Sequence, residues 1–404
     1  MNYYIGIDTA KGQARYQVED THTQIVRKGR LKANHWSMKQ FLLQLERLGV
    51  LPADTLIGIE ATGLLHIGWC VALSQAGYRV LALNPLLSKR RYTPENAIRD
   101  HKTDPVDAAG LCDIIRRDGH KLQRFLYQHQ PERFALKRLL SVRKVLRSSL
   151  TNLYKASGDL LDFIFPELRP MGLTLTHQGL RRLLKRHSTA QAIAALPKAT
   201  LKRYVADKST LLKEAAEHSF ATAELAQCSV PALREFIVNI EQLSERLLQV
   251  DKQIDQFLAT AVPAEQVTLA RSLPAFGAKT TPAVLAFIPE DYARWGSKKK
   301  ITAKLQALFG TEPRMRRSGK WIGKEKMSKR GVELARTALF QIAFCSLLHD
   351  PQCRSYYDSL RARGKSHKEA IVNLMRKHLR RLVSVLVEQN PYTPVLSENV
   401  AIST

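Results

Sequence analysis

The sequence predicts a mixed α/β domain at the N-terminus, a helical coiled-coil middle and a mostly α C-terminal domain. Three observations carry this reading. Up to about residue 120 the apolar pattern switches between a period of two and a period near 3.6. Residues 132–164 and 233–257 repeat apolar positions at threes and fours with no strand signal. From residue 263 short apolar segments are broken by Gly and Pro. The expected boundaries are 1–125, 126–262 and 263–390, with a loose tail over 391–404.

Taken in order, "YYIGID" (3–8), "ARYQVED" (14–20) and "TQIVRKGR" (23–30) are three strands joined by short turns. The next segment is helical, with Trp36, Phe41, Leu42, Leu45 and Leu48 recurring at helical spacing. A strand (55–60), a helix (63–76), a strand (79–84), a basic loop and a helix from Asp104 follow. A meander feeding right-handed crossovers gives a mixed sheet with helices on its faces. In the middle, Leu139, Val142, Leu146, Ser149, Leu153, Ala156 and Leu160 form one apolar line. Leu233, Phe236, Ile240, Leu243, Leu247, Val250, Ile254 and Phe257 form another, an a/d seam over more than three heptads. Its partner is a helix of the same chain or of a second copy. An assembled homo-oligomer, dimer or tetramer, is expected through it, since a bare stripe would face water.

Lys and Arg number 63 against 36 acids, a formal charge of +27. Such an excess implies a polyanionic partner, nucleic acid or an anionic membrane surface. No apolar run is long enough to span a bilayer, and "MNYYIGIDTAKG" lacks the layout of a secretory signal. The five cysteines contain no C-x-x-C pair and read as reduced thiols of a cytosolic protein. Nucleic acid in the cytoplasm is therefore the expected partner. Between Arg294 and Arg330 thirteen Lys or Arg face only Glu312 and Glu325, with Trp295 and Trp321 interleaved. A solvated face can hold such a run, but basic residues among aromatics suit a nucleic-acid groove. The candidate contacts are Lys298, Lys299, Lys300, Arg314, Arg316, Arg317, Lys320, Lys329 and Arg330.

Asp8 and Glu60 each end an apolar strand with glycine two residues before, Gly6-Ile-Asp8 and Gly58-Ile-Glu60. Alternation puts glycine and acid on one face, and glycine there means that something approaches closely. On parallel neighbouring strands both carboxylates emerge at the carboxyl edge, where open α/β sheets bind ligands. "KTDPVDA" supplies Asp104 and Asp107. Alone it is a helix start, with Asp104 as N-cap and Asp107 at the capping-box position. Four acids together are costly unless a divalent cation neutralises them, and carboxylates around one or two Mg²⁺ serve phosphodiester chemistry.

"YIGIDTAKG", "GIEATG" and "KTDPVDA", in this order, resemble the RNase H-like (RuvC-like) domain of the DEDD insertion-sequence transposases. These are relatives of the Piv-type DNA invertases, and some are bridge-RNA-guided recombinases. "SLPAFGAKTTPAVLAFI", "PRMRRSGK", "MSKRGVELAR" and "YYDSLRARGKSHKEAIVNLMRKHL" extend the resemblance through the C-terminal third. Ala275 stands where that family usually has glycine, and Glu333 where it has asparagine. The resemblance implies that Asp8, Glu60, Asp104 and Asp107 are catalytic metal ligands for Mg²⁺. It also implies that Ser318, in "RMRRSGKW", is a nucleophile flanked by arginines, ahead of Ser328 and Ser297. It further implies a DNA transposase or recombinase of a bacterial insertion sequence, working at the nucleoid, with DNA and a non-coding guide RNA as partners. A RuvC-like nuclease or Holliday-junction resolvase, with metal-activated water and an idle serine, is the other reading. A sugar-kinase or actin-like ATPase shares the sheet, but +27 and the lack of a late Gly-Gly segment oppose it.

Overall fold

Period-two strands at the start of the chain pair into one five-stranded sheet: β1 (Tyr3–Ala10), β2 (Gln13–Asp20), β3 (Ile25–Lys32), β4 (Thr55–Glu60) and β5 (Arg79–Leu83). The computed structural model describes residues 1–85, 104–314, 317–318, 321–322 and 326–394. Of residues 104–106, 124, 314, 317–318, 321–322 and 326 it describes the backbone alone. The chain divides into two units, Met1–Gln130 and Pro131–Thr404.

In the first unit the strand order is β3-β2-β1-β4-β5. The β1/β2 and β2/β3 pairs are antiparallel, and β1/β4 and β4/β5 are parallel. This is the mixed sheet that a meander and two crossovers produce. Alternation sorts its faces. Ile5, Ile7, Ile57, Ile59 and Val80 pack with Phe41 and Leu45 of α1 (His35–Arg47) and with Trp69 and Leu73 of α2 (Leu65–Gln75). Leu56, Leu81 and Leu83, on the opposite face, pack with Leu111, Ile114 and Ile115 of α3 (Asp104–Asp118). Each such buried Ile or Leu contributes about 1.5–3 kcal/mol. Trp36, expected on the apolar stripe of α1, is 71% exposed. Lying five residues before Phe41, it stands about 140° round the helix from the buried line.

In the second unit α4 (Pro131–Ile164) and α9 (Ala223–Ala261) form an antiparallel hairpin. Leu136 and Leu140 share a core with Ile254 and Leu258, while Leu150 and Leu161 share another with Leu233, Ile237 and Ile240. The seam of α9 is thus covered by a helix of its own chain, which removes the exposed stripe on which the expected oligomer rested. Its buried row is a strict heptad, Ala226, Leu233, Ile240, Leu247, Ile254 and Ala261. Phe236, Leu243, Val250 and Phe257, expected to share the seam equally, are only half-buried. On α4 the buried face is rotated from the expected line: Val142 is 45% exposed and Ala156 is also exposed.

Four short helices cap one end of the hairpin: α5 (Gln178–Arg186), α6 (Ala190–Ala194), α7 (Lys198–Val205) and α8 (Ser209–Glu217). Their core is Leu180, Leu183, Leu184, Ile193, Leu201 and Leu212. At the other end lie α10 (Ala264–Arg271), α11 (Thr281–Leu285), α12 (Lys298–Phe309), α13 (Glu333–His349), α14 (Pro351–Ala362) and α15 (His367–Glu388). Phe309, Leu339, Ile342, Leu374 and Leu382 fill their core. Buried Arg133 ties α4 into it by donating to the carbonyls of Ala261, Leu285 and Ile288. The basic stretch departs from the helical expectation. Pro313–Arg314 (β6) pairs with Lys326–Met327 (β9), and Arg317–Ser318 (β7) with Trp321–Ile322 (β8), forming a short β arm. Among the described residues no helix is long and apolar enough to cross a membrane.

Candidate active site

Gly6 lies opposite Gly58, and Ile7 opposite Ile59, across the parallel β1/β4 pair. Asp8 and Glu60 therefore follow as neighbours on the face that carries α3. The glycines are explained by that helix. A Cβ on Gly6 would stand 2.0 Å from the Ala108 carbonyl oxygen and 2.9 Å from the Cys112 nitrogen. One on Gly58 would stand 2.7 Å from Cγ2 of Ile115. What approaches the glycines is thus protein. Gly6 N donates to Cys112 Sγ at 3.0 Å, and the thiol in turn lies 3.3 Å from the Gln17 carbonyl oxygen. Gly119, at the far end of α3, meets Leu56 near the start of β4. The helix therefore runs against the strand direction, and its first turn, with Asp104 and Asp107, lies toward the carboxyl ends of β1 and β4.

Asp8, Glu60 and Asp107 are half-buried, and Thr62 Oγ1 donates to Glu60 Oε1 at 3.4 Å. Asp104 opens α3, while the basic loop before it, residues 86–103, lies outside the described residues. Among the described residues no three metal-ligating side chains converge closely enough to hold an ion. The donor set itself is all carboxylate, carried on two adjacent strand ends and one helix start. That chemistry fits a hard, oxygen-preferring divalent cation.

The sheet adds a residue that the motifs did not disclose. Arg15 stands directly opposite Asp8 in the β1/β2 register, on the same face. It is half-buried. The signal was the tight turn at Lys11-Gly12, Gly12 having a φ of +73°, which fixes the pairing. Further along, Glu19 is buried and accepts from Gln17 Nε2 at 2.6 Å. Burial raises its carboxyl above the usual range, and Asp113 adds to this while the Gln17 hydrogen bond and Arg116 oppose it.

In the second unit Ser318 is placed by its backbone pairing with Trp321. Arg316 and Lys320 lie outside the described residues, and Arg314 and Arg317 are placed by backbone alone. The arm springs from a crossing of two glycines. A Cβ on Gly310 (φ +66°) would meet the Arg330 carbonyl oxygen at 2.6 Å. One on Gly331 (φ +133°) would meet that of Leu308 at 2.2 Å. Of the competing serines, Ser328 accepts at Oγ from the Arg330 N–H at 3.2 Å, and Ser297 precedes α12 without capping it. Lys299, Lys300, Lys329 and Arg330 are exposed, and exposed Lys298 pairs with Glu388. Trp295 is half-buried beneath Lys304, whose Nζ lies 5.4 Å from the ring centroid, so its face is already covered. Ala275 has a φ of +64°, the left-handed conformation that favours glycine.

A family model described as a transposase of the DEDD type from IS110 matches residues 5–166. A second, "Transposase IS116/IS110/IS902 family", matches residues 267–358. The IS110 insertion-element 43.6 kDa protein of Streptomyces coelicolor is 26% identical over 291 residues, covering 70% of each chain. The IS900 42 kDa protein of Mycobacterium paratuberculosis is 25% identical, covering 83% of this chain and 86% of its own. The pilin gene-inverting protein of Moraxella bovis is 28% identical over 163 residues, covering 40% of this chain and 49% of its own. The two matches together span more than half of the sequence, and with these relatives they place the chain in the IS110 family of DEDD transposases, as a DNA transposase or recombinase.

Proposed function

We propose that this transposase cuts and rejoins DNA at the ends of an insertion sequence, with Asp8, Glu60, Asp104 and Asp107 holding Mg²⁺ and Ser318 as nucleophile. The observation that carries the metal reading is the parallel register of Gly6-Ile-Asp8 on Gly58-Ile-Glu60, with the first turn of α3 directed to the same edge. The RNase H-like interpretation of residues 1–125 rests on it. Bound Mg²⁺ would supply Lewis acidity toward a phosphoryl oxygen. The four carboxylates hold and orient, and Arg15 offsets their mutual repulsion beside Asp8.

Ser318 Oγ attacks a DNA phosphorus, its proton leaves, and one P–O ester bond breaks to free a DNA hydroxyl. The resulting phosphoserine ester is attacked by the hydroxyl of another strand, which restores the serine and the phosphodiester. Arg314, Arg316, Arg317 and Lys320 stabilise the crowded phosphorus, while Lys298, Lys299, Lys300, Lys329 and Arg330 hold flanking phosphates. In this reading residues 126–262 are the helical spacer, residues 263–390 are the serine-bearing domain, and 391–404 is the tail. The formal charge of +27 leaves room for a guide RNA beside DNA. The protein works as a homo-oligomer at the bacterial nucleoid, its two half-sites drawn from different protomers.

The test traps the reaction with denaturant and sequences the peptide that carries DNA. An adduct on Ser318, lost in Ser318→Ala and in Asp104→Ala but kept in Ser328→Ala, supports the assignment. Normal cleavage and joining by Ser318→Ala sinks the serine mechanism and favours the resolvase reading with metal-activated water.

A further inference from the structure

Residues 167–266 lie between the two family matches, and they contain the helical cap α5–α8, which the transposase reading leaves without a task. From Gln178 to Lys213 the sequence has nine Lys or Arg and one acid, Asp207. Several of these cations build the fold. Buried Arg181 donates to the Leu175 and Thr176 carbonyls, Lys208 Nζ donates to the Met171 carbonyl at 2.7 Å, and Lys213 pairs with Glu217 at 3.2 Å. Lys185 pairs with Glu241 at 2.7 Å. The four that remain besides Arg186 have no such work. Arg182, Lys198, Lys202 and Arg203 are exposed, and among the described residues none of them has a carboxylate partner.

The backbone gives these cations a rigid mount. A Cβ on Gly179 would stand 1.9 Å from the Tyr204 carbonyl oxygen, so α5 and α7 cross in backbone contact. Arg186 adds a hydrogen bond to the Tyr204 hydroxyl at 3.5 Å. The three residues Ala195-Leu196-Pro197 join α6 to α7, the Thr189 side chain caps α6, and buried Ile193 and Leu201 anchor the two helices. A helix, a three-residue turn and a second helix with exposed cations is the form in which proteins lay a helix into the major groove of B-DNA. Exposed aromatic rings, which a single strand would need for stacking, are missing from α5 and α7. Tyr204, their one aromatic residue, is half-buried. The narrow major groove of A-form RNA does not admit a helix.

We propose that the cap, residues 178–205, is a second duplex-DNA surface, separate from the basic C-terminal domain. In it α7 lies against the groove, and Arg182, Lys198, Lys202 and Arg203 take phosphates on either side.

The test uses the full chain, a short random-sequence DNA duplex and an RNA hairpin of the same stem length, with affinity followed by anisotropy across a salt series. Lys198→Gln/Lys202→Gln/Arg203→Gln is expected to flatten the log–log salt slope for duplex DNA by up to about three. Its melting temperature should stay that of the parent, because all three side chains are exposed. Lys298→Gln/Lys299→Gln/Lys300→Gln forms a separate arm, and the two reductions should add. A change in the cap arm with none in the lysine arm supports the cap alone and counts against the C-terminal assignment instead. An unchanged DNA slope in the cap variant overturns the proposal, as does a loss confined to the RNA hairpin. If the triple variant melts early, Arg182→Gln/Lys202→Gln, with one change on each crossing helix, is read in the same way.

Discussion

Gly6 shows how one residue sets the geometry of this site. Its missing side chain is the space that the Ala108 carbonyl occupies, so the helix start carrying two of the acids rests directly on the strand carrying a third. Gly6→Ala should force α3 off the sheet, costing about 1–3 kcal/mol or more as an overpacked contact and abolishing strand exchange. Gly58→Ala should be milder, because its obstacle is a side-chain methyl group of Ile115 and not the backbone of the helix. Calorimetric melting checks both, and an unchanged transition in Gly6→Ala would mean that α3 is not seated as described. The G-x-acid pairs were legible because strand alternation ties each glycine to the acid two residues on. Arg15 was not, because its place beside Asp8 depends on a hairpin register that no motif spells out. Nor was the β arm, since two-residue ladders carry no periodicity.

Among the elements, the α4–α9 hairpin was legible in its helices and not in its register. An apolar position every three or four residues announces a helix, but where a helix is packed on more than one side several rows are partly covered. Only the structure shows that the heptad through Leu233, Ile240 and Leu247 is the deep one. It also shows a polar break, where Asp251 accepts from Arg143 and, at 2.7 Å, from Lys279. Burial alone would raise the Asp251 carboxyl, but these two cations outweigh it and hold the group below its usual range. Leu247→Glu buries a charge without a partner and should cost at least about 2 kcal/mol, with the native mass retained by whatever remains folded. Leu248→Glu, at a position 55% exposed, should be close to neutral. Light scattering with urea melts separates these outcomes. A stable but smaller species from Leu247→Glu would mean that the seam joins copies after all.

At the scale of the whole molecule, acid is expected to loosen the C-terminal core. His378 is fully buried, its Nε2 2.9 Å from Ser346 Oγ and 3.6 Å from Cys353 Sγ. Burial, with the nearby Arg381 and Lys377 charges, pushes its imidazole down to about 4, and Asp350 offsets only part of this. The folded chain therefore keeps His378 neutral where the unfolded chain takes up a proton. Stability is full above the ordinary histidine value near 6.5 and falls as pH drops from there toward 4. Urea midpoints across that window should show a slope of about one proton, flattened in His378→Gln. A slope equal in both proteins would place the acid sensitivity elsewhere.

The crossing of Gly310 and Gly331 has a consequence for how this chain can be cut and joined. The segment between them begins and ends at one point, with Lys329 N on the Gly310 carbonyl and Val332 N on that of Leu308, at 3.0 and 2.9 Å. Topologically it is a cassette rooted at one place, held to the core by buried Thr311, whose carbonyl accepts from Arg376, and by Met327. A short bridge from Gly310 to Gly331 would take away Ser318 together with six of the candidate phosphate contacts, Arg314, Arg316, Arg317, Lys320, Lys329 and Arg330, while Lys298, Lys299 and Lys300 stayed on the core.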